Sequence, residues 1–281
     1  MRLVGLTFVT MLAFAGNSLL TRMAVGQGLI DPFGFAAVRV VAGALVLGVL
    51  VLWRGRVWPG WAGRGAGVGG LTLYLLGFSS AYAGLDAGIG ALILFGSVQI
   101  TMFAGAVMAS EAVPGRRWAG ALVAFGGLVV LLAPAGVVPS LWHAGLMATA
   151  GLGWGVYSLA GRRQADALAA TAANFVLSVP LVVALALVMP GAWTGAWTGA
   201  GVGLAALSGA VTSGLGYALW YAILPGLGAS RAALAQLTVP VIAAAGGLAL
   251  GEAVSWRFAL AAGLVLGGVV VGSAQSGLTK R

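Results

Sequence analysis

Ten apolar stretches, each about as long as a bilayer is thick, run almost end to end through this chain of 281 residues. They lie near 3–24, 33–53, 66–85, 87–109, 115–134, 141–160, 168–189, 200–223, 228–250 and 255–273, separated by short polar or charged breaks. A helix needs about 20 mostly apolar residues to cross a hydrocarbon core of roughly 30 Å. With 61% hydrophobic residues, 7% charged residues and a mean hydropathy of +1.07, most of the chain belongs in lipid. An all-α membrane protein of ten transmembrane helices is expected.

The net charge of +9 would suggest a nucleic-acid partner in a soluble domain, where basic side chains gather on one face. Their positions here argue for another role. With the N-terminus in the cytoplasm, the inside segments carry Arg2, Arg54, Arg56, Arg64, Arg116, Arg117, Arg162, Arg163, Arg231, Lys280 and Arg281, and the outside segments carry Arg22 and Arg257. This is the positive-inside bias, and it places both termini in the cytoplasm. The charge is then a topology signal, and no nucleic-acid partner is expected. Arg2 before an apolar run resembles a signal peptide, but the same pattern returns near Trp154, where no signal-peptide cleavage is expected, so the first span is read as retained. The chain has no cysteine, which excludes disulfides and thiolate metal sites; no metal or cofactor is expected.

The stretch Glu111–Val130, EAVPGRRWAGALVAFGGLVV, returns 141 positions later as Glu252–Val271, EAVSWRFALAAGLVLGGVVV. Glu-Ala-Val, an arginine five residues after the glutamate, and the glycine pairs Gly126-Gly127 and Gly267-Gly268 coincide. Weaker echoes align Phe14–Ser18 with Trp154–Ser158, and Tyr82, Ala83 and Leu85 with Tyr221, Ala222 and Leu224. The order is kept, so residues 1–137 and 138–281 form two repeats of five spans each. An odd number of spans inserts the second repeat upside down. Inverted repeats are a recurring transporter architecture with the substrate site at the repeat interface, which implies a central cavity.

Several motifs in this order resemble the ten-helix EamA-type branch of the drug/metabolite transporter superfamily. They are Pro32 followed by Phe35-Ala36-Ala37-Val38-Arg39, Trp154-Gly155, Pro240, and the two Glu-Ala-Val boundaries with their Gly-Gly helices. The first half departs from the pattern, with Phe14-Ala15 where Trp-Gly is usual and Gln99 where a proline is usual. The resemblance implies a bacterial inner-membrane exporter of small metabolites, with amino-acid exporters, aromatic ones included, among its members. Aromatic, hydroxyl and amide groups with few formal charges suit an apolar zwitterion. The expected function is export of amino acids with aromatic or large apolar side chains by alternating access. Other small metabolites or hydrophobic drugs are the alternative cargo. Expected partners are the substrate and the lipid bilayer, with the chain a monomer or weak homodimer.

Candidate substrate-binding residues are Asn17, Ser18, Arg39, Tyr74, Phe78, Ser79, Tyr82, Gln99, Trp154, Tyr157, Ser158, Tyr217, Trp220, Tyr221 and Gln236. Arg39 is the charge placed clearly inside a span; it could attract a substrate carboxylate, snorkel to the headgroups or bond helix ends. The amides and hydroxyls could equally serve as interhelical glue. Glu111 and Glu252 read as structural, through the helix macrodipole and pairing with Arg116 and Arg257. Gly263, Gly267, Gly268 and Gly272 form two GxxxG spacings for helix packing or a dimer contact. No catalytic residue is assigned. An intramembrane serine hydrolase built on Ser18 and His143 is a remote rival, since nothing places the two within hydrogen-bond reach. A non-transporting structural or receptor subunit is the third reading.

Overall fold

Three helices of this chain begin where a side chain at the N-cap satisfies the first free amides. Asp31 accepts from the amides of Phe33 and Gly34 ahead of Pro32, Asp166 accepts from Ala169, and Thr198 accepts from Gly201. The computed structural model describes residues 2–108, 115–132, 140–162, 164–189, 192–193 and 195–273. In chain order the helices are α1 (Arg2–Val25), α2 (Pro32–Trp53), α3 (Gly65–Ala81), α4 (Ala87–Met108), α5 (Gly115–Leu132), α6 (Leu141–Gly161), α7 (Ala167–Val188), α8 (Gly199–Leu207), α9 (Gly216–Gln236), α10 (Thr238–Ala249) and α11 (Trp256–Ser273). A π-helical segment, Ser208–Leu215, joins α8 to α9. Beyond helices, the described residues show one isolated bridge, Ile30 to Trp197. Glu111 lies outside the described residues.

Expected spans one to seven and ten each coincide with one helix. The eighth and ninth do not divide as expected: the break near Leu227 is absent, and α9 continues through Pro225 to Gln236, leaving α10 short. The chain still reverses there. Gly216 lies against Ala13, Gly226 against Leu3 and Gly246 against Leu19, so it descends along α1 and climbs back.

Contacts between segments define two ends. One gathers Arg22, Asp86 and Glu252, with Asp31 beside Trp197 and Gly84 beside His143. The other joins Leu3 to Gly226, Arg56 to Asp166 and Arg64 to Asn174. Arg54 and Arg162, which end α2 and α6, belong to this second, basic end.

The packing is reciprocal. Gly127 on α5 abuts the carbonyl of Ala261 and the side chain of Val265 on α11, while Gly268 on α11 abuts the carbonyl of Gly120 and the Cβ of Ala124 on α5. Each contact maps onto the other by the 141-residue offset of the repeat. Absence of a Cβ at these two positions lets the backbones touch. Gly263 and Gly267 face open space instead, so they lie on a different face from Gly268. Elsewhere α2 packs on α7, α4 on α10, α3 on α6, and α1 on α9 and α10.

Large apolar side chains cover the outside, among them Phe8, Leu45, Val49, Leu122, Leu187 and Val270, all more than half exposed. Contiguous exposed apolar surface of this kind suits lipid contact. Eight of the ten tryptophans stand at helix ends or in connections, where amphipathic rings favour the membrane–water interface. The other two, Trp154 and Trp220, are buried at the centre. Four described stretches, Arg2–Val25, Pro32–Trp53, Ala167–Val188 and Gly199–Leu227, are long and apolar enough to cross a membrane by length and composition.

Candidate functional site

A close crossing of two backbones positions the centre. Gly209 in the π-helical segment abuts the main chain of Arg39 on α2, and Gly43, one turn further along α2, lies against the Gly209 carbonyl and the Phe175 ring. Any side chain at Gly209 would push the helices apart. The wide π turn rotates its hydroxyls towards the same interior point, and such segments recur at functional sites. Ser208 and Ser213 donate to Asn17 Oδ1 at 2.6 and 3.4 Å, and the Thr212 hydroxyl is shared between Asn17 Oδ1 at 3.2 Å and Ser208 O at 3.1 Å. Asn17 Nδ2 in turn donates to the hydroxyls of Tyr74 (2.9 Å) and Tyr217 (3.2 Å). One amide thereby joins α1, α3, the π segment and α9.

Arg39 completes this network. Its Nε donates to Ser213 Oγ at 2.7 Å, and its Nη2 donates to Tyr217 at 2.6 Å and to Tyr74 at 3.0 Å. The guanidinium carbon also stands 5.1 Å from the Tyr74 ring centroid and 5.0 Å from that of Phe78, within cation–π range. Arg39 is 0% exposed, so it does not snorkel to the headgroups, and its partners are side chains of the protein centre. Its Nη1 has no hydrogen-bond partner, and no carboxylate of the described residues pairs with it. Removing a guanidinium from water costs several kcal/mol unless an opposite charge and full hydrogen bonding offset it. An intramembrane charge kept without its counter-ion is a mark of function.

Aromatic rings enclose the network. Trp154 and Tyr217 lie 4.5 Å apart between centroids, Tyr74 and Trp154 5.1 Å, Phe14 and Trp154 5.3 Å, and Phe14 and Trp220 5.5 Å. These rings line the centre between the helices, and their side chains are at most 5% exposed. The apolar groove along Ala37, Val38, Val41, Ala42 and Leu45 lies on the outer face of α2, away from this centre.

Of the sequence candidates, the structure brings Asn17, Arg39, Tyr74, Phe78, Trp154 and Tyr217 into direct contact. Gln236 accepts from Trp154 Nε1 at 3.0 Å and so supports that ring. Trp220 Nε1 points to Ser158 Oγ at 3.4 Å, and Tyr157 stacks between Trp154 and Tyr221. Ser79 donates to Leu75 O on its own helix and Tyr82 to Ala87 O at the α3–α4 turn, whereas Tyr221 on α9 donates to Tyr157 O on α6. Ser18 is buried on α1 next to Asn17, whereas Gln99 is only half-buried on α4. No hydrogen bond joins Ser18 to His143, whose Nδ1 lies 2.9 Å from Ser140 Oγ at the start of α6, so the hydrolase constellation is not assembled.

Sequence reasoning missed Ser208, Thr212 and Ser213, together with the rings of Phe14 and Phe175. Three hydroxyls and two glycines within Ser208–Gly214 were the available signal. Glu252 was expected to pair with Arg257. Its carboxylate instead holds Arg22 at 2.8 Å and the amide of Ala87 at 2.9 Å.

Fold and site together define a multi-pass helical membrane protein with an enclosed, positively charged polar centre. The family model described as EamA-like transporter family matches residues 141–273. "Uncharacterized protein PA1977" of Pseudomonas aeruginosa is 45% identical over 269 residues, covering 95% of this chain and 92% of that protein. The chain belongs to the EamA-like transporter family and is a membrane transporter of small molecules. A solved structure described only as "Crystal structure of protein" shares the fold, with a TM-score of 0.70 at 24% identity over 95% of this chain and 98% of the other.

Proposed function

We propose that this transporter exports amino acids and related small carboxylates bearing an aromatic or large apolar group, by alternating access about the centre at Arg39. The observation that carries this reading is the buried Arg39 guanidinium, with Nη1 unpartnered and no carboxylate paired to it among the described residues. A substrate carboxylate supplies the missing charge and acceptor atoms in one group. The rings of Phe14, Trp154 and Trp220 around it supply apolar contact for the rest of the molecule.

Residues 1–137 and 138–281 act as the two inverted halves. Support for this comes from the reciprocal contacts of Gly127 and Gly268, which the repeat offset maps onto each other. Rings now in contact must part for substrate to enter, which rocking of one half against the other accomplishes. The arginine-rich end faces the cytoplasm, with both termini on that side of the inner membrane.

Counterflow in proteoliposomes tests the reading. Vesicles preloaded with unlabelled phenylalanine, tryptophan, leucine or 3-phenylpropionate are expected to take up the matching labelled compound, and Arg39→Gln to abolish the uptake. Counterflow from none of them removes the substrate class. Full activity in well-folded Arg39→Gln removes the centre.

A further inference from the structure

Hydrogen bonding at the centre does not balance, and the imbalance has one sign. Asn17 Nδ2 and Arg39 Nη2 both donate to the Tyr74 and Tyr217 hydroxyls, which also lie 2.9 Å from each other. With Tyr217 donating to Tyr74, the Tyr74 proton has no acceptor among the described residues. Arg39 Nη1 is likewise without one, although its side chain is completely buried. On the acceptor side, Asn17 Oδ1 already receives the Ser208 and Ser213 hydroxyls and shares the Thr212 proton with Ser208 O. The centre therefore has donors to spare and its best neutral acceptor occupied.

Fixed charge is as one-sided. Every described carboxylate is engaged at an end of the molecule: Asp31 caps α2 and receives Trp197 Nε1, Asp86 and Glu252 hold Arg22, and Asp166 caps α7 beside Arg56. None faces Arg39. A zwitterion placed here would bring its carboxylate to the guanidinium but leave its ammonium near the same cation, with no carboxylate partner, in a site walled by rings. Burying a charge in that way is unfavourable. A ligand of net charge −1 neutralises the guanidinium and consumes the spare donors, with nothing left over.

We infer that the Arg39 centre selects monoanions, aromatic or apolar carboxylic acids without an ammonium group, over the zwitterionic amino acids of the same shape. The inference rests on the reading of this centre as the substrate site and narrows its cargo. From sequence alone a zwitterion is the natural expectation, because the spans show few charges of either sign. The burial of Arg39 away from any acid moves the preference. Such cargo is what deamination of aromatic amino acids, or oxidation of aromatic aldehydes, delivers to the cytoplasm.

Three probes built on the same phenylethyl group separate the charges: 3-phenylpropionate (net −1), phenylalanine (net 0) and 2-phenylethylamine (net +1). Isothermal titration calorimetry on the purified full chain at neutral pH is expected to rank them in that order. The monoanion should bind at least about tenfold tighter than the zwitterion, and the amine should show no binding. In Arg39→Gln the preference for the anion should vanish. Ser213→Ala removes the acceptor of the Arg39 Nε proton while keeping the charge, so it is expected to weaken all binding yet preserve the ranking; loss of the ranking there would count against charge as its cause. Phenylalanine binding as tightly as 3-phenylpropionate, or tighter, overturns the monoanion preference and leaves the carboxylate site standing. Binding of the amine, or of none of the three, overturns both.

Discussion

Arg22 Nε donates to Glu252 Oε1 at 2.8 Å, joining the last turn of α1 to the segment before α11 across 230 residues of chain. Its Nη2 reaches Asp86 Oδ1 at 3.1 Å, and Glu252 Oε2 accepts from the Ala87 amide. One guanidinium thus closes a ring of three segments from the two repeats at the end away from the basic one. In the alternating-access cycle proposed above, this ion pair closes one side and separates when that side opens. Cysteines at 22 and 252 in this cysteine-free chain, bridged by a short thiol-specific cross-linker, are expected to stop transport, and cleavage of a reducible linker to restore it. Undiminished flux in fully cross-linked protein would show that these segments stay together throughout the cycle.

Arg39 separates stability from function. A buried ion exchanged for an apolar side chain of similar size is often neutral or stabilising by about 1–4 kcal/mol. Arg39→Met is expected to melt, free of ligand, no lower than the parent protein while losing transport. The pairing of a clearly lower melting temperature with intact transport would mark Arg39 as a structural residue.

The glycine contacts divide by face. Gly268→Val should reduce folded yield and melting temperature, because its Cβ would strike the carbonyl of Gly120. Gly267→Val, one residue away, meets nothing within 4 Å and should be tolerated in the monomer. Size-exclusion chromatography with light scattering on Gly267→Val also tests a weak homodimer through the open Gly263–Gly267 face. A shift in mass would assign the face to a second copy.

Topology can be read by labelling. Arg54 ends α2, while the connection holding Trp193 and Trp197 meets Asp31 at the beginning of α2, about 33 Å away for a helix of 22 residues. Single cysteines at 54 and 193 should react with impermeant reagents from opposite sides of the membrane. Same-side reaction would refute the inverted arrangement.

Energy coupling follows from where the acids stand. Asp31, Asp86, Asp166 and Glu252 all lie at helix boundaries, and His143 sits at the start of α6, so no described acid or histidine stands at the Arg39 centre. Export down the substrate's own gradient, without an obligatory proton relay, is expected. Sustained accumulation in proteoliposomes that an ionophore abolishes would defeat this view.

Reading the chain alone located most helices to within a few residues, because lipid forces a backbone to satisfy its own hydrogen bonds and that demand is written as uninterrupted apolar length. It also exposed the repeat through Glu252 and the Gly267-Gly268 pair, and singled out Asn17, Arg39, Tyr74, Trp154, Tyr217 and Gln236. The reversal between Leu3-facing Gly226 and Leu19-facing Gly246 was expected near residues 224–227, but as a break in the helix, whereas α9 continues helically past Pro225.

What sequence determined by itself was the solvent, the all-helical class and the recurrence of a sequence pattern 141 residues apart, all of which depend on composition and spacing along one dimension. Whether Arg39 reaches the headgroups or the interior depends on how α2 is rotated, and that rotation is set by Gly43 and Gly209 allowing two backbones to touch. The same contact and the π turn beside it aim Ser208, Thr212 and Ser213 at Asn17. A hydroxyl in an apolar run looks alike whether it bonds its own helix or a partner's, so only tertiary packing could decide that this buried arginine stands among donors with no described acid beside it.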